Sequence, residues 1–173
     1  MIFISGIHGV GKTYFCNKVK EELNIESYSA SQLIAQKRGH EFFRNKLVDN
    51  IDDNQHLLLE ALKDLRHNKK EFILDGHFCL LDSDGEIARI PNKTFYELRP
   101  DSVILLTEKP EIIADRRLKR DGISQEINKI QEFQNAEKIY AEEISQILDI
   151  PFIISNGAED LGKIIEFIKL GGY

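Results

Sequence analysis

The strongest constraint on this chain is a glycine-rich segment near its N-terminus, Gly6-Ile7-His8-Gly9-Val10-Gly11-Lys12-Thr13. Apolar residues 2–4 precede it and predict a buried strand, and residues 13–23 follow it with the apolar spacing of a helix. Glycines at these positions let the backbone curl so that its N–H groups converge, and the positive end of the helix attracts anions. The segment therefore predicts a phosphate-binding loop, here called the P-loop (residues 6–13).

The last two side chains of the P-loop carry the expected chemistry. Lys12 is placed to reach the β and γ phosphates of a nucleotide, and the hydroxyl of Thr13 is placed to ligate Mg²⁺. The alternative is a glycine-rich turn that matches by accident, and the flanking strand and helix argue against it. We interpret His8 as the occupant of a variable position. The predicted nucleotide contacts on this segment are Gly6, His8, Gly9, Val10, Gly11, Lys12, Thr13 and the adjacent Tyr14.

A second candidate metal ligand closes another apolar run. Asp75 follows Phe72-Ile73-Leu74 at the end of a predicted strand, where P-loop enzymes commonly place an aspartate that holds Mg²⁺. The alternative is that Asp75 only begins a turn with Gly76. Beside a P-loop we favour a role at the metal or the acceptor. His77 either reaches a substrate or stays a neutral loop histidine.

A basic cluster follows the fourth predicted strand. Arg116 and Arg120 lie four residues apart on one face of a predicted helix, beside a break at Asp121-Gly122, and Arg117 lies next to them. Phosphoryl transfer spreads negative charge over the moving group, so arginines that close over it are expected. The alternative is a solvated basic face. Beside a P-loop we favour catalysis, with Lys12, Asp75, Arg116 and Arg120 as the candidate catalytic residues.

Overall charge and hydropathy exclude several classes of protein. Acidic residues outnumber Lys and Arg by 29 to 23, giving a net charge of −6, which argues against a nucleic-acid backbone as the main partner. The apolar runs are too short to span a membrane, and the N-terminus does not resemble a secretory signal. We therefore expect a cytoplasmic protein with a small-molecule substrate. Cys16 and Cys79 are expected to be reduced and structural.

Strand and helix patterns alternate along the chain. Predicted strands lie at residues 2–5, 25–28, 71–75, 102–107 and 151–154. This alternation is typical of a parallel sheet covered on both faces, so we predict an α/β fold in one domain over residues 1–173. Residues 82–85 predict a tight turn inside a longer loop. The longest helix is predicted over residues 124–148, with Ile127, Ile130, Phe133, Tyr140, Ile144 and Ile147 facing inward.

These residues resemble the adenylate kinase-like nucleoside monophosphate kinases, a family of P-loop kinases, and most closely the short, archaeal-type adenylate kinases. The resemblance covers nearly the whole chain. It rests on residues 4–13, on Phe72-Ile73-Leu74-Asp75-Gly76-His77, on Pro100-Asp101-Ser102-Val103-Ile104-Leu105-Leu106 and on Ile113-Ala114-Asp115-Arg116-Arg117-Leu118-Lys119-Arg120-Asp121. It implies a three-layer α/β/α fold with a five-stranded parallel sheet and ATP with Mg²⁺ as the donor.

The same resemblance implies where the substrates bind. The acceptor, a nucleoside monophosphate, would lie under residues 29–66, and a short lid would span residues 116–125. Asn156, after the last strand, would lie against the adenine of ATP. The chain departs from the family where an arginine usually follows the Asp-Gly pair, since His77 stands there and the next arginine is Arg89. The acceptor segment offers only Lys37, Arg38, Arg44 and Lys46 before its long helix.

The leading functional hypothesis is transfer of the γ-phosphoryl group of ATP to a nucleoside monophosphate. One alternative is a kinase for another small molecule, such as a nucleoside or a sugar, on the same scaffold. An alternative of another class is a nucleotide-dependent interaction protein or a slow ATPase, in which closure of the lid signals to a partner.

Overall fold

The computed structural model describes residues 1–38, 51–68, 71–122 and 124–171. Its strands and helices alternate, as predicted. The strands are β1 (Ile2–Ser5), β2 (Ser27–Ser29), β3 (Ile73–Asp75), β4 (Cys79–Leu81), β5 (Ile87–Arg89), β6 (Ser102–Thr107) and β7 (Phe152–Asn156). The helices are α1 (Lys12–Leu23), α2 (Ala30–Arg38), α3 (Ile51–Asn68), α4 (Asn92–Leu98), α5 (Pro110–Asp121), α6 (Ile127–Leu148) and α7 (Leu161–Lys169), and a short 3₁₀ helix precedes α7.

Five strands form one sheet in the order β2-β3-β1-β6-β7, and all neighbouring pairs are parallel. The central strands are almost continuously apolar and fully buried, because helices flank the sheet. Helix α1 packs with α7, and α6 packs with α4 and α5. The predicted α/β fold with a five-stranded parallel sheet is confirmed.

The segment between β3 and β6 differs from its prediction. Strands β4 and β5 form a small antiparallel hairpin, and helix α4 follows it, where the sequence predicted a long loop. The predicted turn is present, since the carboxylate of Asp82 accepts hydrogen bonds from the backbone N–H groups of Asp84 and Glu86. Three-residue strands are too short to show an alternating pattern, so the sequence does not reveal them.

The inward face predicted for the longest helix is correct in its middle and wrong at its ends. Ile130, Phe133, Tyr140 and Ile144 are buried, whereas Ile127 is 40% and Ile147 is 43% exposed. The helix begins at Ile127, later than predicted, so Ile127 is its first residue and lies at the edge of the packed region. No helix among the described ranges is long and apolar enough to cross a membrane.

Candidate functional site

Parallel pairing brings the polar strand ends of the sheet to one edge. Asp75 pairs with Ile4 of β1 and with Ser29 of β2, and the backbone N–H of Gly76 donates to the Ile4 carbonyl at 2.9 Å. At the other side of β1, Thr107 pairs with Asn156, and its hydroxyl donates to the Asn156 side-chain oxygen at 2.8 Å. The P-loop leaves β1 between these two groups, as expected for a ligand site at the carboxyl edge of a parallel sheet.

The P-loop adopts a tightly curled backbone that depends on its glycines. Gly6 has a φ of +143°, and a β-carbon there would lie 2.6 Å from the Leu106 carbonyl oxygen. Gly9 has a φ of +84°, and a β-carbon there would lie 3.1 Å from Cγ of Arg117. Helix α1 begins at Lys12, so the N–H groups of its first turn have no acceptor within the helix and are free for an anion.

Lys12 and Asp75 meet at the base of the site. Lys12 is buried, donates to the Gly6 carbonyl at 2.6 Å, and lies 3.8 Å from Oδ1 of Asp75. Burial lowers the pKa of the Lys12 amine, and the charges of Asp75 and Glu137 oppose that effect. Burial likewise raises the pKa of Asp75, and Lys12 opposes it. Each group therefore supports the charge of the other in a place from which water is largely excluded.

The donor set beside Lys12 suits Mg²⁺. Thr13 is exposed at the start of α1, and Asp75 is partly exposed at the end of β3, so a hydroxyl and a carboxylate face the same space. Both are the hard oxygen ligands that Mg²⁺ prefers, with the remaining positions left to phosphates and water. Among the residues that the structure describes, no group of three or more His, Cys, Asp or Glu side chains forms a protein-only metal site.

Two histidines stand together at the P-loop. The rings of His8 and His77 are tilted against each other with centroids 4.4 Å apart, and both residues line the central cavity. Burial holds the pKa of His77 well below its ordinary value, and the nearby charges of Lys12 and His8 act in the same direction. His77 is therefore neutral, and its Nδ1 has no hydrogen-bond partner among the described residues.

Helix α5 holds the P-loop with two of its arginines. Arg116 donates to the Val10 carbonyl at 2.9 Å and pairs with Glu108 at 3.2 Å. Arg117 is only 6% exposed and donates to the His8 carbonyl at 2.8 Å. Two guanidinium groups of α5 thus hold the backbone of the P-loop. Because the carbonyl acceptors are neutral, these hydrogen bonds leave the positive charges of the arginines in place.

Arg120 and Arg117 have further partners on the same side of the site. Arg120 pairs with the carboxylate of Asp121 at 2.7 Å, and this hydrogen bond raises the pKa of the arginine. Arg117 also donates to the side-chain oxygen of Gln125, and its Nη2 has no partner within the described ranges. The proposed lid, residues 116–125, is regular helix as far as Asp121.

A cavity of about 770 Å³ joins these groups. It is lined by eight of the predicted site residues, His8, Gly9, Gly11, Lys12, Thr13, Asp75, Arg116 and Arg120. Four others do not line it, namely Gly6, Val10, Tyr14 and Asn156. Gly6 and Val10 are buried within the loop, whereas Tyr14 points away from it and is 55% exposed. The structure thus brings together most, but not all, of the residues predicted from the motifs.

The cavity is also lined by residues that the motifs did not reveal. Ser29, Asn54, Gln55 and Thr94 line it together with apolar side chains such as Leu58. Asn54 is only 4% exposed, and its Oδ1 has no hydrogen-bond partner among the described residues. An unpaired buried amide oxygen is costly unless a ligand supplies its partner.

Arg89, the nearest arginine after Asp75-Gly76, faces away from the cavity. Its guanidinium pairs with Glu143 at 2.9 Å and lies 4.6 Å from the centre of the Tyr140 ring. Lys37 and Arg38 end α2, and Arg44 and Lys46 lie outside the described residues.

Glu137 is the functional candidate that sequence reasoning missed. Its carboxylate is 1% exposed and accepts hydrogen bonds from the backbone N–H groups of Phe78 at 2.9 Å and Cys79 at 2.6 Å. Burial raises its pKa to about 7, against the opposing effect of these two N–H groups. The signal was present, because Glu137 lies four residues after Phe133 and three before Tyr140, within the inward stripe.

Comparison with known proteins finds a matching family model and similar adenylate kinases. A family model described as an AAA domain matches residues 5–134. The adenylate kinase of Pyrobaculum aerophilum is 28% identical over 96% of this chain and 84% of its own length, and that of Sulfurisphaera tokodaii is 30% identical over 68% of each.

Solved structures of similar fold include two kinases. A shikimate kinase from Acinetobacter baumannii in complex with shikimate has a TM-score of 0.59 at 18% identity and covers 98% of this chain and 92% of its own. A gluconokinase from Sinorhizobium meliloti has a TM-score of 0.58 at 14% identity, and the match covers 99% of this chain and 90% of the gluconokinase. At these identities the likeness concerns the fold alone.

Proposed function

The chain belongs to the P-loop family whose model is described as an AAA domain and to the adenylate kinase-like kinases, and we propose that it transfers the γ-phosphoryl group of Mg·ATP to a nucleoside monophosphate. An oxygen of the acceptor phosphate forms a bond to the γ phosphorus while the bridging oxygen between β and γ leaves with ADP. The products are ADP and a nucleoside diphosphate, so atoms and charge balance.

The observation that carries this proposal is one cavity lined both by the P-loop and by residues of α2 and α3. Lys12 and Thr13 line it, and so do Gln32 of α2 and Asn54 of α3. A donor phosphate bound on the P-loop and an acceptor held beneath the two helices would therefore share one enclosed space. Positioning and electrostatic stabilisation are the main contributions that phosphoryl transfer needs from a protein.

The cations of the cavity have distinct roles in this proposal. Lys12 leaves the Gly6 carbonyl and contacts the β and γ phosphates. Arg116 and Arg120 line the same cavity and stabilise the charge that develops on the transferred group. Thr13 and Asp75 would hold Mg²⁺, and the ion would neutralise phosphate charge. From the resemblance to the family, Asn156 at the end of β7 is proposed to lie against the adenine of ATP.

The acceptor segment is proposed to be residues 29–66, and the lid residues 116–125. Asn54, Gln55 and Thr94 offer hydrogen-bonding groups in a largely apolar setting, which suits the edge and the faces of a nucleobase. The unpaired Oδ1 of Asn54 would accept a hydrogen bond from an amino group on that base.

A kinase for a neutral acceptor, such as a nucleoside or a sugar, is the second candidate. Within the described ranges, the cavity brings hydroxyl and amide groups to the acceptor side but no arginine other than Arg116 and Arg120 of α5. Arg89 is engaged by Glu143 instead. A nucleoside monophosphate would have to find its phosphate contacts on these two arginines or on the residues between 38 and 51.

The test is an acceptor panel with purified protein. Mg·ATP is incubated with nucleoside monophosphates, nucleosides and sugars, and both ADP and the phosphorylated product are measured. Formation of a nucleoside diphosphate supports the proposal. Phosphorylation of only nucleosides or sugars favours the second candidate, and loss of ATP without any phosphorylated acceptor identifies an ATPase.

A further inference from the structure

Helix α6 directs three buried polar side chains toward the loops of the site. They are Gln134, Glu137 and Tyr140, at a spacing of three residues along the buried face of the helix. Each is at most 6% exposed, and each holds the backbone of a different segment. Together they form a polar row on α6.

The first member of the row fixes the start of the segment that leads to the arginines. The side-chain oxygen of Gln134 accepts from the backbone N–H of Glu108 at 3.0 Å, and its amide donates to the Glu108 carbonyl at 2.8 Å. The carboxylate of Glu108 in turn pairs with Arg116. The third member, Tyr140, donates from its hydroxyl to the Ile90 carbonyl at 2.6 Å, just after the hairpin.

The middle member, Glu137, holds the loop that carries the candidate metal ligand. Its two oxygens accept from consecutive backbone N–H groups, at Phe78 and Cys79, directly after Asp75-Gly76-His77. Hydrogen bonds to a charged acceptor are stronger and more directional than neutral ones. A glutamine of the same length would accept only one of them, because its NH₂ group would face the other N–H.

Besides the N–H groups of Phe78 and Cys79, the charge of Lys12 and the backbone N–H of Gly6 lower the pKa of Glu137. Lys12 of α1 is the positive charge that acts on it, and Arg89 of β5 acts on the neighbouring Cys79 thiol. Burial, together with the charge of Glu137, raises the pKa of the Cys79 thiol to about 12, so Cys79 stays protonated. Burial opposes the ionisation of the Glu137 carboxyl group, and its backbone hydrogen bonds offset part of that cost. Its value lies in the position of the backbone that it holds.

We propose that Glu137 is a positioning residue for phosphoryl transfer, which fixes Asp75 and His77 in the cavity by binding the backbone N–H groups of Phe78 and Cys79. This inference rests on the proposed function, since it assigns Asp75 to the metal or the acceptor. Glu137 does not line the cavity and touches neither substrate, so its effect reaches the reaction through the loop.

The test compares Glu137→Gln with Glu132→Gln, which removes the same charge from an exposed position of the same helix. We measure the Kd and stoichiometry of ATP binding, hydrogen exchange at the amides of Phe78 and Cys79, and turnover per ATP-binding chain. In Glu137→Gln we expect faster exchange at these two amides, an unchanged ATP Kd and a kcat lower by about 10-fold to 100-fold. The Mg²⁺ concentration for half-maximal turnover should rise. Glu132→Gln should match the wild type.

Two results would overturn the inference. One is an unchanged kcat per ATP-binding chain, and the other is a loss of ATP binding in parallel with turnover, which indicates a general structural defect. If Glu137→Gln does not fold, Glu137→Asp keeps the carboxylate but shortens its reach and is judged by the same measurements. If the wild-type chain phosphorylates no acceptor, the proposed function fails, and the inference is judged on hydrolysis of Mg·ATP instead.

Discussion

Nζ of Lys12 lies 3.8 Å from Oδ1 of Asp75, at the junction of the P-loop and strand β3. The amine also donates to the Gly6 carbonyl at 2.6 Å, and this hydrogen bond fixes the position of its charge beside the P-loop. Since Asp75 is a proposed Mg²⁺ ligand, binding of Mg·ATP would replace both contacts of the lysine with phosphate oxygens. The pair keeps two charges at the place where the phosphates are expected.

Replacement of this lysine tests its role in catalysis. In Lys12→Ala we expect kcat to fall by about 100-fold to 1000-fold, because one charged contact to the transferred group is lost. The fold should remain intact, as judged by circular dichroism and the unfolding midpoint. Lys18→Ala is the matched control, since Lys18 lies on the same helix, pairs with Glu21 on the surface and does not line the cavity. Equal turnover in both variants would contradict the role of Lys12.

The buried Arg117 provides a test of how the P-loop is supported. In Arg117→Met we expect the affinity for ATP to fall about tenfold, because the His8 carbonyl loses its donor and the loop loses its backing. The free energy of unfolding should fall by about 1–3 kcal/mol. Calorimetric titration and chemical denaturation measure the two effects. Lys129→Met, at an exposed position of α6, should change neither.

Asn54 should show opposite effects on stability and activity. In Asn54→Leu the free energy of unfolding should rise by about 1 kcal/mol, because an unpaired buried amide oxygen is replaced by an apolar group of similar size. The KM of the acceptor should rise while the KM of ATP stays the same. Thermal unfolding and steady-state kinetics provide the measurements, with the exposed Gln36→Leu as control. A lower stability together with an unchanged acceptor KM would refute this assignment.

The titration of Glu137 should appear in the pH dependence of stability. Its pKa is about 7 in the folded chain and 4.5 in the reference state, so the folded chain binds more protons between these values. The free energy of unfolding therefore falls as pH rises through this window, by up to about 3 kcal/mol. The stability that the protonated Glu137 adds to the folded chain is fully present below pH 4.5 and is lost above pH 7.

The measurement is the difference in unfolding free energy between the wild type and Glu137→Gln from pH 5 to pH 8. A difference is needed because the lowered pKa of His77 acts in the opposite direction below pH 6.5. We expect the wild type to lose stability relative to the variant as pH rises. Parallel curves would mean that Glu137 does not titrate in this range, and Glu132→Gln should give parallel curves.

The sequence revealed the parts of the site that depend on local pattern. The P-loop follows from its glycines and the flanking elements, and Asp75 follows from the strand that it closes. Their proximity is then a consequence of parallel pairing, because the ends of β1 and β3 meet at one edge. A fold of alternating elements also predicts that edge without knowledge of any side chain.

The parts that the sequence did not reveal depend on tertiary contacts. Glu137 and Gln134 lie in an amphipathic helix whose other glutamates are on its solvated side, and only their place in the apolar stripe distinguishes them. The sequence does not show that Asn54 is buried beside a cavity, so only the structure identifies it as a candidate. Ile127 and Ile147 were placed inward by spacing alone, which does not show where the packing partner of a helix ends.

The contact between Gly9 and Arg117 has a consequence for how this chain tolerates change. A β-carbon at position 9 would lie 3.1 Å from Cγ and 3.3 Å from Nε of Arg117, so the two positions share one small volume. A larger residue at position 9 would have to displace both Arg117 and Ile113 on a backbone with a φ of +84°, and displacement of Arg117 would remove the donor to the His8 carbonyl. Substitutions at these positions are therefore not independent, and an evolving chain is confined to changes that leave both residues in place.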